Sequence, residues 1–228
     1  MALDFAFMKA RPGICILTFH GIGQPERALA NGEEKFWLSA SSFEAVLDLV
    51  RGRRGVEITF DDSNSSDFKE GLPALLKRGM RATFFVVSQR IDAPGFLTTD
   101  QVRQLIEAGM SIGSHGAMHR PWAELHATDL RYELIESRKQ LENVIGARVE
   151  EAACPFGSYN RRVLKALRHA GYTKVYTSDD GLACPSDWIL ARNTVTRGQS
   201  LADVAKLFNP GPVTNWLRRL KARLKALR

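Results

Sequence analysis

Two adjacent carboxylates stand directly after an apolar run, a place where charge is costly to bury. The run Val56–Phe60 has the composition of a buried strand, and Asp61 and Asp62 follow it. Because an unpaired buried charge destabilises a fold, these carboxylates are expected either to be paired or to take part in chemistry. A plainer alternative is that the two residues only form a turn or a helix cap.

A pair of histidines further along the chain has the spacing of metal ligands. His115 and His119 stand at positions i and i+4, just after another short apolar segment. On a helical or turn backbone both imidazoles of such a pair can reach one metal ion, although many pairs of this kind are only solvated or packed. One carboxylate with two imidazoles leaves a metal position open for water, and the second carboxylate can then act as a base.

These residues belong to a series of motifs that resembles the polysaccharide deacetylases of the NodB-homology type. The resemblance extends from about Leu17 to about Val195, and each motif alone would be weak. Together they occur in the order of the family, with the correct types of metal ligand: TFDD at 59–62, SHGAMH at 114–119, CPFG at 154–157 and DW at 187–188.

The resemblance implies roles for individual residues. Asp62, His115 and His119 would bind one divalent metal, for which Zn²⁺ is the best candidate and Co²⁺, Ni²⁺ and Mn²⁺ are alternatives. Asp61 would be the general base that takes a proton from water, and the backbone N–H of Phe156 would help to hold the oxyanion. The implied reaction is the hydrolysis of an N-acetyl or O-acetyl group on a carbohydrate.

The implied substrate is an acetylated amino sugar in a polysaccharide or in a lipid-linked precursor. Asp179 follows a predicted strand and is a candidate to face the substrate, with a plain turn as the favoured alternative, while Trp188 resembles an aromatic wall of the sugar groove in relatives and equally fits the core. The residues predicted to contact the substrate are Pro155, Phe156, Gly157, Asp179 and Trp188.

The chain departs from the family in its third motif, where an arginine normally orients the base. Ala153 stands at that position. Arg192, after a later predicted strand, is predicted to supply the missing guanidinium to Asp61. A surface salt bridge of Arg192 is an equally good interpretation.

The chain also lacks the late Leu-x-His motif whose histidine serves many relatives as general acid. No histidine follows His169, which falls on a basic helix away from the predicted site. His20 ends the apolar run Leu17–Phe19 and is the predicted substitute, as an acid or as a substrate ligand. The alternative is a structural histidine held by hydrogen bonds.

The elements that must position these residues alternate between strand and helix. This alternation predicts an α/β fold with a parallel sheet covered by helices, and about seven strands suit a closed or nearly closed barrel. The resemblance implies the same architecture, a distorted (β/α) barrel. The predicted strands are 15–19, 56–60, 82–87, 111–114, 149–153, 174–178 and 189–191, and the predicted helices are 42–50, 66–78, 99–108, 128–145, 161–170 and 200–208.

The polar residues of interest all follow the ends of predicted strands. In a (β/α) barrel the ends of the strands meet at one rim, which is the usual position of an active site. The residues placed there are His20, Asp61, Asp62, His115, Pro155, Phe156, Asp179 and Arg192.

The composition fits one globular domain outside the membrane. The chain has 228 residues, of which 44% are hydrophobic, and no stretch approaches the about 20 apolar residues that span a bilayer. The N-terminal segment lacks the pattern of a secretory signal, so a cytoplasmic location is expected. Three widely spaced cysteines argue against a disulfide framework and against a cysteine zinc site.

The positive charge of the chain is concentrated at its C-terminus. The net charge is +7, and residues 216–228 carry six basic side chains and no acidic one, so the remainder is close to neutral. We divide the chain into a barrel domain, 1–211, and a basic amphipathic tail, 212–228. A matching basic stripe elsewhere is missing, which disfavours nucleic acid as a partner.

The tail has the helical spacing of apolar residues that is typical of an interfacial helix. Such a helix would make a peripheral contact with an anionic membrane, at the inner face if the protein is cytoplasmic. The alternative is a helix that docks on the barrel with its basic face in water. The apolar positions are Val213, Trp216, Leu217, Leu220, Leu224 and Leu227.

Other function classes stay open at the level of sequence. The missing arginine and late histidine allow a catalytically weak carbohydrate-binding protein that keeps the metal site. The same scaffold also suits a hydrolase of non-sugar amides, because a fold does not determine a substrate. A protein that interacts with partners through its basic tail is a third possibility.

Overall fold

A computed structural model describes residues 13–227 of the chain, which form one parallel barrel surrounded by helices. The strands are β1 (Cys15–Phe19), β2 (Gly21–Ile22), β3 (Trp37–Leu38), β4 (Val56–Phe60), β5 (Thr83–Val86), β6 (Ser111–Ser114), β7 (Glu151–Ala153), β8 (Lys174–Thr177), β9 (Ile189–Ala191) and β10 (Asn193–Thr194). Neighbouring strands of the main sheet are parallel throughout, in the order β10-β1-β4-β5-β6-β7-β8-β9. A separate two-stranded sheet pairs β2 with β3.

The barrel nearly closes at Arg192, the one residue between β9 and β10. On one side Ala191 pairs with Thr177 of β8, and on the other Asn193 pairs with Leu17 of β1. The last stretch of chain therefore joins the two ends of the sheet. The predicted parallel barrel is confirmed. It has eight strands instead of about seven, because the chain continues past Arg192 into one more short strand, β10, after the last predicted strand.

The barrel interior contains a small apolar cluster with aromatic rings, distinct from the larger core under the helices. Ile16, Phe85, Tyr176 and Leu190 belong to this inner cluster. The ring centroids of Phe85 and Tyr176 lie 4.8 Å apart. Side chains alternate between the two faces of a strand, so the residues flanking these positions pack against the helices instead.

The helices cover the outside of the barrel and begin with polar caps where the sequence provides them. Thr98 and Gln101 form a reciprocal capping box, and Ser200 and Asp203 form another. The helices are α1 (Ala40–Val50), α2 (Leu72–Lys77), α3 (Thr99–Glu107), α4 (Ala127–Arg131), α5 (Ser137–Ile145), α6 (Arg161–His169), α7 (Leu201–Lys206) and α8 (Pro212–Leu227).

Two of the predicted helices contain a wide turn that the periodicity does not reveal. The π-helical segment Asp67–Gly71 precedes α2, and a second segment, Tyr132–Glu136, joins α4 to α5. Single π-helical turns often lie at functional sites. Both segments contain a buried carboxylate close to the residues predicted to do chemistry.

The C-terminal tail forms α8 from Pro212 onward, as its spacing predicts. No helix among residues 13–227 is long and apolar enough to cross a membrane. The N-terminal segment 1–12, used above to predict location, lies outside the described residues. The division between a barrel and a tail stays an interpretation.

Candidate functional site

Asp61 and His115 follow strands at positions whose side chains point towards the barrel interior. Thr59 faces the barrel interior, where its hydroxyl lies 3.0 Å from that of Thr18. Because side chains alternate along a strand, Asp61 has the same inward orientation two residues later. Gly113 precedes His115 in the same way, and a side chain at Gly113 would collide with the ring of Phe85.

The structure brings the three predicted metal ligands together. One ligand atom from each of Asp62, His115 and His119 lies within 4.8 Å of the others. The Oδ1 atom of Asp62 lies 2.9 Å from Nε2 of His119 and 3.6 Å from Nε2 of His115. A carboxylate and two imidazoles are ligands that Zn²⁺ and related divalent metals accept, so the donor set fits such an ion.

The orientation of His115 also suits a metal ligand. Its Nδ1 atom lies 2.9 Å from the carbonyl oxygen of Ala153, so that nitrogen carries the proton and donates it. Nε2 is thereby left with a free lone pair directed at the two carboxylates. Burial lowers the pKa of His115 to about 4, so the imidazole is neutral at physiological pH.

Asp61 is held in the barrel by Arg192 through two parallel hydrogen bonds. The two terminal nitrogens of the guanidinium, Nη1 and Nη2, donate to the carboxylate, each at 2.7 Å, and only 1% of the arginine side chain is exposed. The guanidinium carbon also lies 5.1 Å from the ring centroid of Phe85 and 6.0 Å from that of Tyr176. Arg192 is therefore not a surface residue, and it occupies the position relative to Asp61 that the sequence predicted.

The charges of the neighbours keep both carboxylates ionised. Burial raises the pKa of Asp61, but the charge and hydrogen bonds of Arg192, together with the neighbouring histidines, outweigh burial and hold that pKa below its usual range. Burial likewise raises the pKa of Asp62, and the hydrogen bond with His119, together with the other neighbouring histidines, lowers it below its usual range. Asp61 is thus able to accept a proton, and Asp62 to bind a cation.

The backbone of the site adopts conformations that non-glycine residues rarely adopt. Positive φ angles occur at Asp62 (76°), Ser63 (65°), His119 (57°) and Phe156 (56°). Such a conformation costs energy for a residue with a side chain and persists only where surrounding contacts impose it. Two of these four residues are predicted metal ligands, so the strain coincides with the site.

Glu133 is a functional residue that the sequence analysis missed. Its buried carboxylate accepts hydrogen bonds from the backbone N–H groups of Ala117 and Met118, each at 3.0 Å, and from Trp122 Nε1 at 3.3 Å. It therefore fixes the loop that carries His119. A signal was available, because Glu133 lies three residues after Leu130 on the apolar face of its helix.

The predicted metal ligands lie in a cavity of about 500 Å³ at the rim of the barrel, which we call the metal cavity. His20 lines it, with its ring stacked on Phe36 at 4.9 Å and its buried Nδ1 without a hydrogen bond among the described residues. Arg90 also lines it and was missed by the sequence analysis. Its Nη2 atom lies 3.3 Å from Nδ1 of His119.

One wall of this cavity is the segment 30–36, which Arg27 anchors. The guanidinium of Arg27 pairs with Glu33 of this segment and donates to Asn64 Oδ1 at 2.8 Å. The same segment brings Lys35 into the lining of the cavity. The wall is thus tied to the residues that follow Asp62.

The predicted substrate residues of the third motif form a tight turn at the cavity mouth. Pro155–Gly157 is a 3₁₀ turn in which Pro155 and Gly157 are buried. Phe156 is 70% exposed, and its ring centroid lies 4.5 Å from that of His119. Phe156 therefore lines the cavity, while its two neighbours support it.

Asp179 and Trp188 lie outside the lining of this cavity, and their contact with a substrate stays a prediction. Both line a second cavity of about 320 Å³ between the barrel and α8. Asp179 accepts hydrogen bonds from the Tyr159 hydroxyl at 2.6 Å and from Lys225 at 3.1 Å. Trp188 donates to the Tyr172 carbonyl, and Arg168 stacks on its ring. Both side chains are therefore engaged in contacts with other residues of the chain.

Asp67 is a further buried carboxyl near the site. Only 1% of the residue is exposed, and its Oδ1 atom has no partner among the described residues. Burial raises the pKa of Asp67 well above its usual value, and the negative charges of Asp62 and Asp61 raise it further. Asp67 is consequently protonated in the metal-free protein at pH values where the unfolded chain is ionised.

We therefore expect Asp67→Asn to make the stability of the metal-free protein less sensitive to pH. The native state of the wild type retains a proton that the unfolded state loses, so its stability falls by up to about 1.4 kcal/mol per pH unit above the unfolded pKa, until Asp67 ionises in the folded protein. Asparagine cannot ionise. The variant should gain stability relative to the wild type as the pH rises, in urea unfolding after chelation.

The exposed Asp100 gives the matched control for this measurement. Asp100→Asn should leave the pH dependence unchanged, since its side chain is 80% exposed. A difference between Asp67→Asn and the wild type that stays constant from pH 5 to pH 8 would contradict the assignment of a protonated Asp67.

Comparison with known sequences gives one consistent family. The sequence profile described as polysaccharide deacetylase matches residues 50–175. The chain is 28% identical to YxkH of Bacillus subtilis over 165 residues, which cover 72% of this chain and 59% of YxkH. It is 26% identical to the peptidoglycan-N-acetylglucosamine deacetylase PgdA of Listeria monocytogenes over 141 residues, 61% of this chain and 29% of PgdA. The chain thus spans less than two thirds of these relatives.

Comparison with solved structures gives the same fold. The deacetylase PplD of Streptococcus pyogenes, solved in complex with acetate, superposes with a TM-score of 0.76 at 20% identity. The superposition covers 87% of this chain and 99% of PplD. The resemblance inferred from the four motifs is confirmed by the profile match, which includes the first three motifs and the barrel strands between them. This chain belongs to the polysaccharide deacetylase family.

Proposed function

We propose that this protein hydrolyses the N-acetyl group of an amino sugar, or an O-acetyl group of a carbohydrate, and releases acetate. The observation that carries the proposal is the arrangement of Asp62, His115 and His119 around one point, with the ionised carboxylate of Asp61 beside them. The family supports carbohydrate deacetylation as the class of reaction. The proposal goes further in naming the metal, the base and the type of substrate.

One divalent metal is the cofactor we propose, most suitably Zn²⁺, with Co²⁺, Ni²⁺ and Mn²⁺ as alternatives. Asp62, His115 and His119 would hold it. When bound, such an ion polarises a carbonyl oxygen and makes a water molecule more acidic. His115 needs no deprotonation for this role at neutral pH, because its pKa is already lowered to about 4 by burial.

Asp61 is the proposed general base. Its carboxylate lies beside the ligand set, with Oδ2 3.7 Å from Nε2 of His115. Arg192 holds both oxygens of the carboxylate in place, which limits its rotation and favours one orientation towards the cavity. Asp61 would accept the proton of the attacking water, and Arg192 would act as a positioning residue.

The proposed acid is His20, in place of the late histidine that the sequence lacks. His20 lines the same cavity as the ligands, and stacking on Phe36 limits the freedom of its ring. From there it can donate a proton to the leaving amine. The backbone N–H of Phe156, at the cavity mouth, is the proposed donor to the oxyanion.

The substrate we propose is an acetylated amino sugar in a polysaccharide or in a lipid-linked precursor. Phe36 and Phe156 offer apolar surfaces to the faces of a sugar ring, and Lys35 and Arg90 offer donors to its hydroxyl groups. PgdA, by its name a deacetylase of N-acetylglucosamine in peptidoglycan, supports a substrate of this chemistry.

Metal content and acetate release together test the proposal. We expect about one divalent ion per chain by elemental mass spectrometry, lost in Asp62→Ala and in His115→Ala. The control is His126→Ala, since His126 is exposed outside the cavity. Acetate release from acetylated chito-oligosaccharides should disappear with a chelator and return with Zn²⁺.

The same assay separates the alternative functions. A chain that takes up no metal after reconstitution, or that retains metal and binds sugar without releasing acetate, would contradict the proposal. Hydrolysis of linear or cyclic amides in preference to acetylated sugars would assign the site to a different substrate class.

A further inference from the structure

The C-terminal helix docks on the barrel by its polar side. Asn215 Oδ1 accepts a hydrogen bond from the Leu182 backbone at 3.1 Å. Lys225 donates to the Gly157 carbonyl at 2.5 Å and to Asp179 at 3.1 Å. The docked positions 215, 218, 222 and 225 recur at helical spacing and are all partly buried.

The opposite side of α8 presents apolar side chains to solvent. At about 100° per residue, these side chains form one stripe centred opposite the docked face. An amphipathic helix on a barrel normally buries its apolar side, and α8 does the reverse. The exposed residues, which we call the outer stripe, are Val213, Trp216, Leu217, Leu220, Leu224 and Leu227, with exposures from 39% to 71%.

Positive charge surrounds the outer stripe. Lys221 and Arg223 are exposed and fall on opposite borders of it. The neighbouring helix α6 packs against α8 and buries its own apolar residues Val163 and Leu167. Its outward side chains are basic, and neither helix contains an acidic residue.

We infer that the outer stripe of α8 binds the surface of an anionic lipid bilayer. The apolar side chains would enter the boundary between headgroups and acyl chains, and the flanking lysine and arginines would meet the lipid phosphates. A second copy of this chain is a poorer occupant, because pairing two outer stripes would bring together basic borders that have no acidic partner on either helix. Nucleic acid would leave the apolar side chains in water.

Docking of this kind brings the candidate site close to the lipid surface. Lys225 binds the carbonyl of Gly157, and the adjacent Phe156 is exposed at the mouth of the metal cavity. A helix lying on a bilayer would therefore hold the cavity mouth near the headgroups. Membrane binding itself does not depend on the proposed reaction and can be tested without it.

Vesicle sedimentation of the full chain tests the inference. The wild type should sediment with vesicles of phosphatidylcholine and phosphatidylglycerol, less at high salt, and much less with phosphatidylcholine alone. The double variant Leu220→Ser/Leu224→Ser should bind these vesicles with an affinity lower by about tenfold or more, because it removes apolar area from the stripe. Both leucines are already exposed, so the fold should survive, which circular dichroism checks.

The matched control removes two exposed leucines elsewhere. Leu76→Ser/Leu201→Ser changes side chains that are 48% and 45% exposed on α2 and α7, and it should bind vesicles like the wild type. Failure of the wild type to sediment, or equal binding by the two double variants, would overturn the inference. A concentration-dependent dimer that only Leu220→Ser/Leu224→Ser abolishes would also overturn it and assign the stripe to a second copy.

Acetate release from a soluble sugar, measured without vesicles, keeps this result separate from the proposed function. The variant Leu220→Ser/Leu224→Ser should retain that activity, because neither residue lines the metal cavity. Lost vesicle binding with retained acetate release therefore supports the inference alone.

Discussion

Asp61→Asn is expected to lower kcat for acetate release by about 10²- to 10⁴-fold, the usual contribution of a general base. The substitution keeps the shape of the side chain and removes its ability to accept a proton. Metal content should stay at the wild-type value, because the proposed ligands are Asp62, His115 and His119. The measurement combines steady-state kinetics with elemental mass spectrometry on the same preparation.

Asp67→Asn is the matched control for this loss of activity. Asp67 is also a buried carboxyl, and it lies close enough to Asp61 and Asp62 for their charges to add to the effect of burial on its pKa. It does not line the metal cavity. The variant Asp67→Asn should therefore retain kcat within about threefold, since the side chain makes no contact with the reacting atoms. Wild-type kcat in Asp61→Asn would place the base elsewhere.

The barrel was predictable because its strands carry strong local signals. The short run Cys15–Phe19 is buried throughout and Val56–Phe60 is buried from Ile58 onward, and glycines such as Gly146, in a left-handed conformation after α5, mark the ends of helices. The residues at the rim were predictable from the same signals, because the residue that follows each strand lies at the end of that strand. The pairing of Arg192 with Asp61 was one of two interpretations, and it came from the resemblance, in which an arginine stands at the position of Ala153, together with the place of Arg192 after a strand.

What the sequence could not give are contacts that depend on distant parts of the chain. Asp179 follows its strand as predicted, yet α8, more than thirty residues later, lies over it and supplies Lys225. Trp188 lines the same cavity as Asp179, between the barrel and α8. The direction of the apolar side of α8 was also beyond a periodicity argument, because periodicity defines a stripe but not the surface against which it packs.

The partners of Glu133 could not be predicted from the sequence for a different reason. A carboxylate on an apolar helix face signals a buried partner, but the sequence does not name the partner. The loop after His115 provides it through the N–H groups of Ala117 and Met118. Gly116, whose φ angle is 82°, allows the loop to turn there, and a side chain on it would collide with Glu133. The position of the proposed metal ligand His119 therefore depends on a helical segment that the motifs do not include.

Arg192→Met is expected to lower the free energy of unfolding by about 3–5 kcal/mol, because it leaves the buried Asp61 carboxylate without its partner. Arg192→Lys should recover part of this loss, since an ammonium group restores the charge but not the two parallel hydrogen bonds. Urea unfolding of the chelated proteins measures both values. Arg168→Met is the control, because Arg168 is an exposed arginine that stacks on Trp188 outside the barrel.

The double variant Asp61→Asn/Arg192→Met separates pairing from packing. Replacing both partners removes the buried charges together, so the double variant should be more stable than the sum of the two single losses indicates. Strictly additive losses would mean that the two side chains stabilise the barrel independently, contrary to the geometry of two 2.7 Å hydrogen bonds.

The pH profile of Arg192→Lys and Arg192→Met tests the role of the arginine in catalysis. The positive charge of Arg192 offsets the effect of burial and lowers the pKa of Asp61. Without a guanidinium in place, burial raises that pKa, and the base is protonated over a wider range of acidic pH. The acidic limb of kcat/KM should therefore move to higher pH, further in Arg192→Met than in Arg192→Lys. An arginine that only supports the barrel would lower stability and leave this limb where it is, because the ionisation of the base would not depend on it.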